Sequence, residues 1–130
     1  MVNPVAVAET PRGVLLVEDE FLIRMLLAGH LRESGYMVVE ACNGEEAVAL
    51  LTAGAQIDIV FTDVRMPGPI DGIGLLAYIK RVQPYLPVVM TSGHLDPAKA
   101  YVGGAAAFLP KPCTSDEVVL AIQAVLQAAE

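Results

Sequence analysis

Apolar residues along this chain form short unbroken runs, separated by longer stretches of helical spacing. The runs are Val14–Val17, Met37–Ala41, Ile57–Thr62, Pro87–Met90 and Ala105–Leu109. Each is nearly continuous rather than alternating, the pattern of strands buried on both faces. Between the first two runs, Ile23, Leu26, Leu27, His30 and Leu31 recur near helical spacing, which predicts a helix over about Glu20–Ser34. Gly35 follows in the position where glycine ends helices. Asn43-Gly44 reads as a turn, and helices are expected over Glu45–Ala53, Gly72–Val82 and Ser115–Ala128. The stretch "SGHLDPAKAYVGGAAAFL", Ser92 to Leu109, is less generous. Pro97 can open a helix there, but Gly103-Gly104 close it, so the fourth helix is short and leans on Tyr101 and Val102 for packing.

Strands alternating with helices imply a parallel sheet covered on both faces. The expected fold class is α/β: a flavodoxin-like, doubly wound, five-stranded parallel sheet in the order 2-1-3-4-5, with a shortened fourth helix. Such sheets bind ligands beyond the carboxyl ends of their strands. Polar residues stand at those ends. Glu18 and Asp19 follow the first strand, Asp63 the third, Thr91, Ser92 and Gly93 the fourth, and Lys111 and Pro112 the fifth.

Each has an ordinary explanation when taken alone. Acids suit the N-terminus of a helix, Asp63 suits a turn before Pro67, a strand-end threonine bonds to backbone, and a lysine is usually solvated. The set as a whole points to chemistry. Three carboxylates brought together repel unless a cation sits among them, and Mg²⁺ is the hard, oxygen-preferring candidate. With Lys111 it would neutralise an incoming phosphoryl group, and Asp63, alone on the central strand, would be the nucleophile of an aspartyl-phosphate. Glu18 and Asp19 form the metal side, and Thr91 is a hydrogen-bond donor to a phosphoryl oxygen.

Composition narrows the classes. The 130 residues are 55% hydrophobic, enough for one core, and carry a formal charge of −7, with 15 acids against 8 bases. That balance disfavours a basic nucleic-acid interface. No apolar run would span a bilayer, and "MVNPVAVAETPRG" lacks the basic region of a signal peptide. Residues 1–12 read as a flexible lead-in and 13–130 as the domain. Cys42 and Cys113 follow the second and fifth strands, at opposite edges of the expected sheet, and are expected to be free thiols of a reducing, cytoplasmic compartment. His30 and His94 have no metal-motif spacing to other ligands.

The motifs "VLLVEDE", "DIVFTDVRMPG", Asp71-Gly72, "PVVMTSG" and "FLPKP" together resemble the receiver domain of two-component response regulators, over about Gly13 to Ala128. The resemblance implies a phosphoacceptor at Asp63, a Mg²⁺ site from Glu18, Asp19, Asp63 and the backbone carbonyl of Arg65, and a switch through Thr91, Ser92, Lys111 and Phe108. It implies a cis peptide at Lys111-Pro112. It also implies a histidine kinase or histidine phosphotransfer protein as phosphodonor and an unknown downstream protein partner, and allows a weak homodimer. As the family accepts phosphoryl groups rather than turning over substrate, the protein is not expected to be an enzyme beyond self-catalysed phosphotransfer and autodephosphorylation. Gly93 offers no side chain to steer water, which favours slow self-hydrolysis.

There are departures. "MPGPIDG" is longer than the commonest spacing between acceptor and "DG" pair, and the Thr91–Lys111 span is shorter, at the expense of the fourth helix. A stand-alone regulator is favoured, with a module from a hybrid histidine kinase or longer regulator as the alternative. Rivals on related chemistry are a flavin-binding domain, for which "EDEF" supplies no phosphate loop, and an aspartyl-phosphate phosphatase, whose Asp-x-Asp pair is absent at "DVR".

Overall fold

The computed structural model describes residues 10–130, so most of the expected lead-in lies outside it. Five strands, β1 (Gly13–Val17), β2 (Met37–Ala41), β3 (Ile59–Asp63), β4 (Val88–Ser92) and β5 (Ala107–Pro110), alternate with α1 (Phe21–Glu33), α2 (Gly44–Thr52), α3 (Gly72–Val82), α4 (Pro97–Val102) and α5 (Ser115–Ala128). All strand pairs are parallel, in the order β2-β1-β3-β4-β5. The doubly wound sheet is therefore as expected.

Strand parity sorts the core into two layers. Val14, Leu16, Ile59, Phe61 and Val89 pack on one face with Leu27, Ala28 and Leu31 of α1 and Val118, Ile122 and Leu126 of α5. Leu15, Val17, Val60, Val88 and Met90 pack on the other with Ala47 and Leu51 of α2, Leu75, Leu76 and Ile79 of α3, and Ala100 of α4. The central strands β1, β3 and β4 are buried throughout, whereas β2 and β5 are edge strands and only partly covered.

The strand boundaries differ from the apolar runs in one consistent way. β3 begins two residues after Ile57 and includes Asp63, and β4 continues through Thr91 and Ser92. A backbone ladder is indifferent to side-chain polarity, and Asp63 pairs in register with Thr91. These polar residues form the last rung of the sheet rather than the start of loops.

Asn43-Gly44 is not a free turn. Asn43 is the N-cap of α2, and its side chain accepts from the Glu46 N–H at 2.8 Å. Thr114 and Glu117 close a reciprocal capping box on α5. In α4 the packing residue is Ala100, fully buried, rather than Tyr101 and Val102, which are exposed. The helix is six residues long and buries Ala100 alone.

Candidate functional site

Parity also builds the site. Val14, Leu16 and Glu18 share one side of the first strand and its continuation. So do Ile59, Phe61 and Asp63; Val89 and Thr91; and Ala107, Leu109 and Lys111. The face that holds the α1–α5 layer thus ends, at its carboxyl edge, in two acids, a hydroxyl and an ammonium. A groove of about 740 Å³ opens there, lined among others by Glu18, Asp19, Asp63, Arg65, Thr91 and Lys111.

Asp63 is buried, with 7% of its surface exposed. Lys111 Nζ donates to its Oδ2 at 2.7 Å, and the Arg65 N–H donates to Oδ1 at 3.3 Å. The company of Asp63 is therefore a cation and a backbone donor. Lys111 titrates above its ordinary value. Burial alone would push it down, but the hydrogen bond and charge of Asp63, with Glu18 beyond, outweigh that. Glu18 is equally buried, and its carboxyl is pushed up, first by burial and then by the charges of Asp63 and Asp19. A hydrogen bond from the Glu20 N–H and the charge of Lys111 partly offset this.

Carboxylate oxygens of Glu18, Asp19 and Asp63 lie within 4.8 Å of one another. This is the donor set of a hard divalent cation. Three oxygen ligands on one open edge suit Mg²⁺, which keeps several waters, and a cation there would relieve the charges of Asp63 and Asp19 that, after burial, push Glu18 up. Glu18, Asp19 and Asp63 are the residues that would hold it. Arg65 lines the same groove.

The turn after Asp63 closes tightly back on the strand end. The Gly72 N–H donates to the Val64 carbonyl at 2.8 Å. A Cβ at Gly72 would collide with the Asp63 carbonyl, which gives the Asp71-Gly72 pair its physical reason. Asp71 caps α3 by accepting from the Gly74 N–H at 2.9 Å.

The hydroxyl side is engaged elsewhere. Thr91 donates to the Leu109 carbonyl at 2.9 Å, with Cys113 Sγ at 3.7 Å. Ser92 Oγ accepts from the His94 and Leu95 N–H groups, both at 3.1 Å. Phe108 is already buried, and it packs in the layer opposite to Thr91. The sheet therefore lies between the two side chains. Their physical link is the β5 backbone, through the Leu109 carbonyl beside Phe108. The Lys111-Pro112 peptide is cis. Cys42 and Cys113 are free. His30, on α1, meets Asp116 of α5 at 2.8 Å, and His94 lies at the groove.

Sequence reasoning missed Arg24, whose guanidinium donates to the Glu18 carbonyl at 2.8 Å. A basic residue in the first turns of a helix, where the dipole favours acids, was the available signal.

Fold and site together define a flavodoxin-like domain with an acid–lysine pocket at the carboxyl edge of its sheet. The sequence matches the response regulator receiver domain family over residues 14–123, and the chain belongs to that family. It is 38% identical over 116 residues to the DNA-binding transcriptional regulator NtrC of Salmonella typhimurium, covering 86% of this chain and 24% of that protein. It is 42% identical over 119 residues to the transcriptional regulatory protein PdtaR of Mycobacterium tuberculosis, covering 89% of this chain and 57% of that one. The chain thus spans between a quarter and somewhat over half of these relatives. A receiver protein from Sinorhizobium medicae superposes with a TM-score of 0.83 at 30% identity, covering 92% of this chain and 98% of that one. No helix among the described residues is long and apolar enough to cross a membrane.

Proposed function

We propose that the protein is the phosphoryl-accepting switch of a two-component pathway, with Asp63 as acceptor. The observation that carries this reading is the buried Asp63 carboxylate, paired with Lys111 at 2.7 Å and clustered with Glu18 and Asp19. An Asp63 oxygen attacks the phosphorus of a phosphoimidazole. The P–N bond breaks, its electron pair stays on the imidazole nitrogen, and an acyl phosphate forms on Asp63. The Lys111 ammonium, held in the groove, stays beside the transferred oxygens. Mg²⁺ on Glu18, Asp19 and Asp63, with the Arg65 carbonyl as a further ligand, would supply the charge that lets a phosphoryl dianion approach three acids. Thr91 and Ser92 have hydroxyls able to turn to a phosphoryl oxygen, which would release the Leu109 carbonyl and pass the change along β5 to Phe108.

The phosphodonor is a histidine kinase or phosphotransfer protein. The exposed apolar side chains of Phe21, Leu22 and Leu26, on α1 beside the groove, support docking of a partner there. The compartment is cytoplasmic, where such donors work. Turnover is confined to self-phosphorylation and self-dephosphorylation. The greater length of the relatives leaves room for the same domain to act as a module of a larger regulator.

Incubation with acetyl phosphate and Mg²⁺, followed by mass spectrometry, is expected to add one phosphoryl group at Asp63. Labelling that persists in Asp63→Asn, or that forms equally in EDTA, would overturn the reading.

A further inference from the structure

The two acids after β1 stand on a turn, outside any ladder. Glu18 is nonetheless tied from three sides. Its N–H donates to the Ala41 carbonyl of β2 at 3.0 Å, and its Oε2 accepts from the Glu20 N–H at 3.0 Å. Its carbonyl accepts from Arg24 Nη1 at 2.8 Å. Asp19, by contrast, is exposed, and no hydrogen bond among the described residues holds its carboxylate. Its place relative to Glu18 is set by the backbone between them.

That backbone is one planar peptide. Holding the Glu18 carbonyl fixes the plane, and the plane fixes where the Asp19 Cα and side chain begin. Arg24 is equipped for the task. Its side chain is mostly buried, at 15% exposure, and its guanidinium lies 5.6 Å from the centroid of the Phe21 ring. Its Nε donates to Glu40 Oε1 at 3.2 Å. Two different nitrogens of one rigid fork thus reach β2 and the acid turn. Glu40, which Arg24 shares with Arg32, offsets part of the guanidinium charge.

We propose that Arg24 is a positioning residue for the cation site: by anchoring the Glu18 carbonyl it sets the Glu18–Asp19 peptide plane and holds the two carboxylates at the spacing Mg²⁺ requires. The proposal rests on the phosphoacceptor reading above. Arg32 provides an internal comparison. It also donates to Glu40, at 3.2 Å, but its other bond goes to the Val38 carbonyl rather than to Glu18.

The test is titration of Mg²⁺ into wild type, R24K, R24Q and R32K, followed by the backbone amide NMR signals of Glu18–Phe21 and Asp63. A single ammonium cannot span both of the fork's acceptors, so R24K is expected to fold normally and bind Mg²⁺ about tenfold more weakly. R24Q should be at least as weak, and R32K unchanged. Acetyl-phosphate labelling of R24K should recover its full extent as Mg²⁺ is raised, which a partly unfolded protein would not do. Unchanged affinity in both Arg24 variants, or an equal loss in R32K, would overturn the proposal while leaving the Asp63 reading intact. A wild type that neither binds Mg²⁺ nor is labelled would overturn both.

Discussion

The two walls of the pocket are made differently. The β1–α1 wall carries Glu18 and Asp19 on a turn anchored to β2 and to Arg24, ahead of a helix of 13 residues. The β4–α4–β5 wall carries Thr91 and Ser92 ahead of a helix of six residues with a single buried side chain, Ala100. Its hydroxyls are occupied by local backbone groups. On the first wall Glu18 is held by three hydrogen bonds, and a group fixed in advance costs little to arrange when charge arrives. The second buries a single side chain of its short helix, and segments with little buried surface open at low free-energy cost. A phosphate switch needs both: one side that does not move, against which the other can.

Lys111 is where the walls meet, since it crosses from the end of β5 to Asp63 on β3. Replacing it with methionine should separate them most sharply. Removal of a preorganised donor at a site of developing charge costs on the order of a hundredfold in rate, so K111M should slow labelling of Asp63 by about that factor. Mg²⁺ affinity should not fall, because the acid wall keeps its own hydrogen bonds. A parallel loss of Mg²⁺ binding in titrations of K111M would show that the two walls are one unit.

Proton competition probes the fixed wall. In the cation-free fold the Glu18 carboxyl titrates above its ordinary 4.5, through burial and then through its acidic neighbours. A folded state that holds a proton more tightly than the unfolded chain gains stability as pH falls through that raised value and loses the gain as pH rises. Mg²⁺ needs the charged form, so the two ligands oppose each other. At a concentration about a hundred times its dissociation constant, Mg²⁺ should add about 2.7 kcal/mol near neutral pH, roughly 10 °C in melting temperature. That gain should shrink as pH is lowered, starting above the ordinary glutamate range, and the Glu18 part of this dependence should vanish in E18Q. Thermal melts with and without Mg²⁺ across that range would expose a gain indifferent to pH, and with it a wall that does not hold the cation through Glu18.

The acid–lysine edge was the most legible part of the site in the sequence. Apolar runs ending in Glu18, Asp63 and Lys111 are enough to place those residues at one edge, because parity and a parallel sheet leave few alternatives. The strand ends were misjudged at Asp63, Thr91 and Ser92, since polarity marks where burial stops and not where the hydrogen-bond ladder stops. Arg24 stayed hidden for a related reason: its key partner is a backbone carbonyl, which no side-chain pattern reports. On the yielding wall, Pro97 and Gly103-Gly104 bounded α4 correctly. Yet the residue that packs, Ala100, looks like any other alanine in that stretch, and only the position of the helix over the sheet singles it out.

The smallest expected effect lies on that wall and concerns Tyr101. β5 is an edge strand, so backbone groups on its outer side have no neighbouring strand to pair with. The Phe108 N–H finds the Tyr101 hydroxyl instead, at 3.2 Å. One hydrogen bond therefore ties the half-exposed ring of α4 to the residue at the centre of the expected switch. A net contribution of about 1 kcal/mol is usual for such a bond, which corresponds to about fivefold in a local opening equilibrium. Y101F should thus speed hydrogen exchange of the Phe108 amide and of α4 by about fivefold in the unphosphorylated protein. The amides of α1 should be unaffected. Beryllofluoride with Mg²⁺ should change α4 exchange in wild type, and change it less in Y101F if the tie has already been cut. Exchange in α4 as slow as in α1, indifferent both to the mutation and to the phosphate mimic, would show that this wall is as fixed as the other and that the contrast between them does not operate the switch.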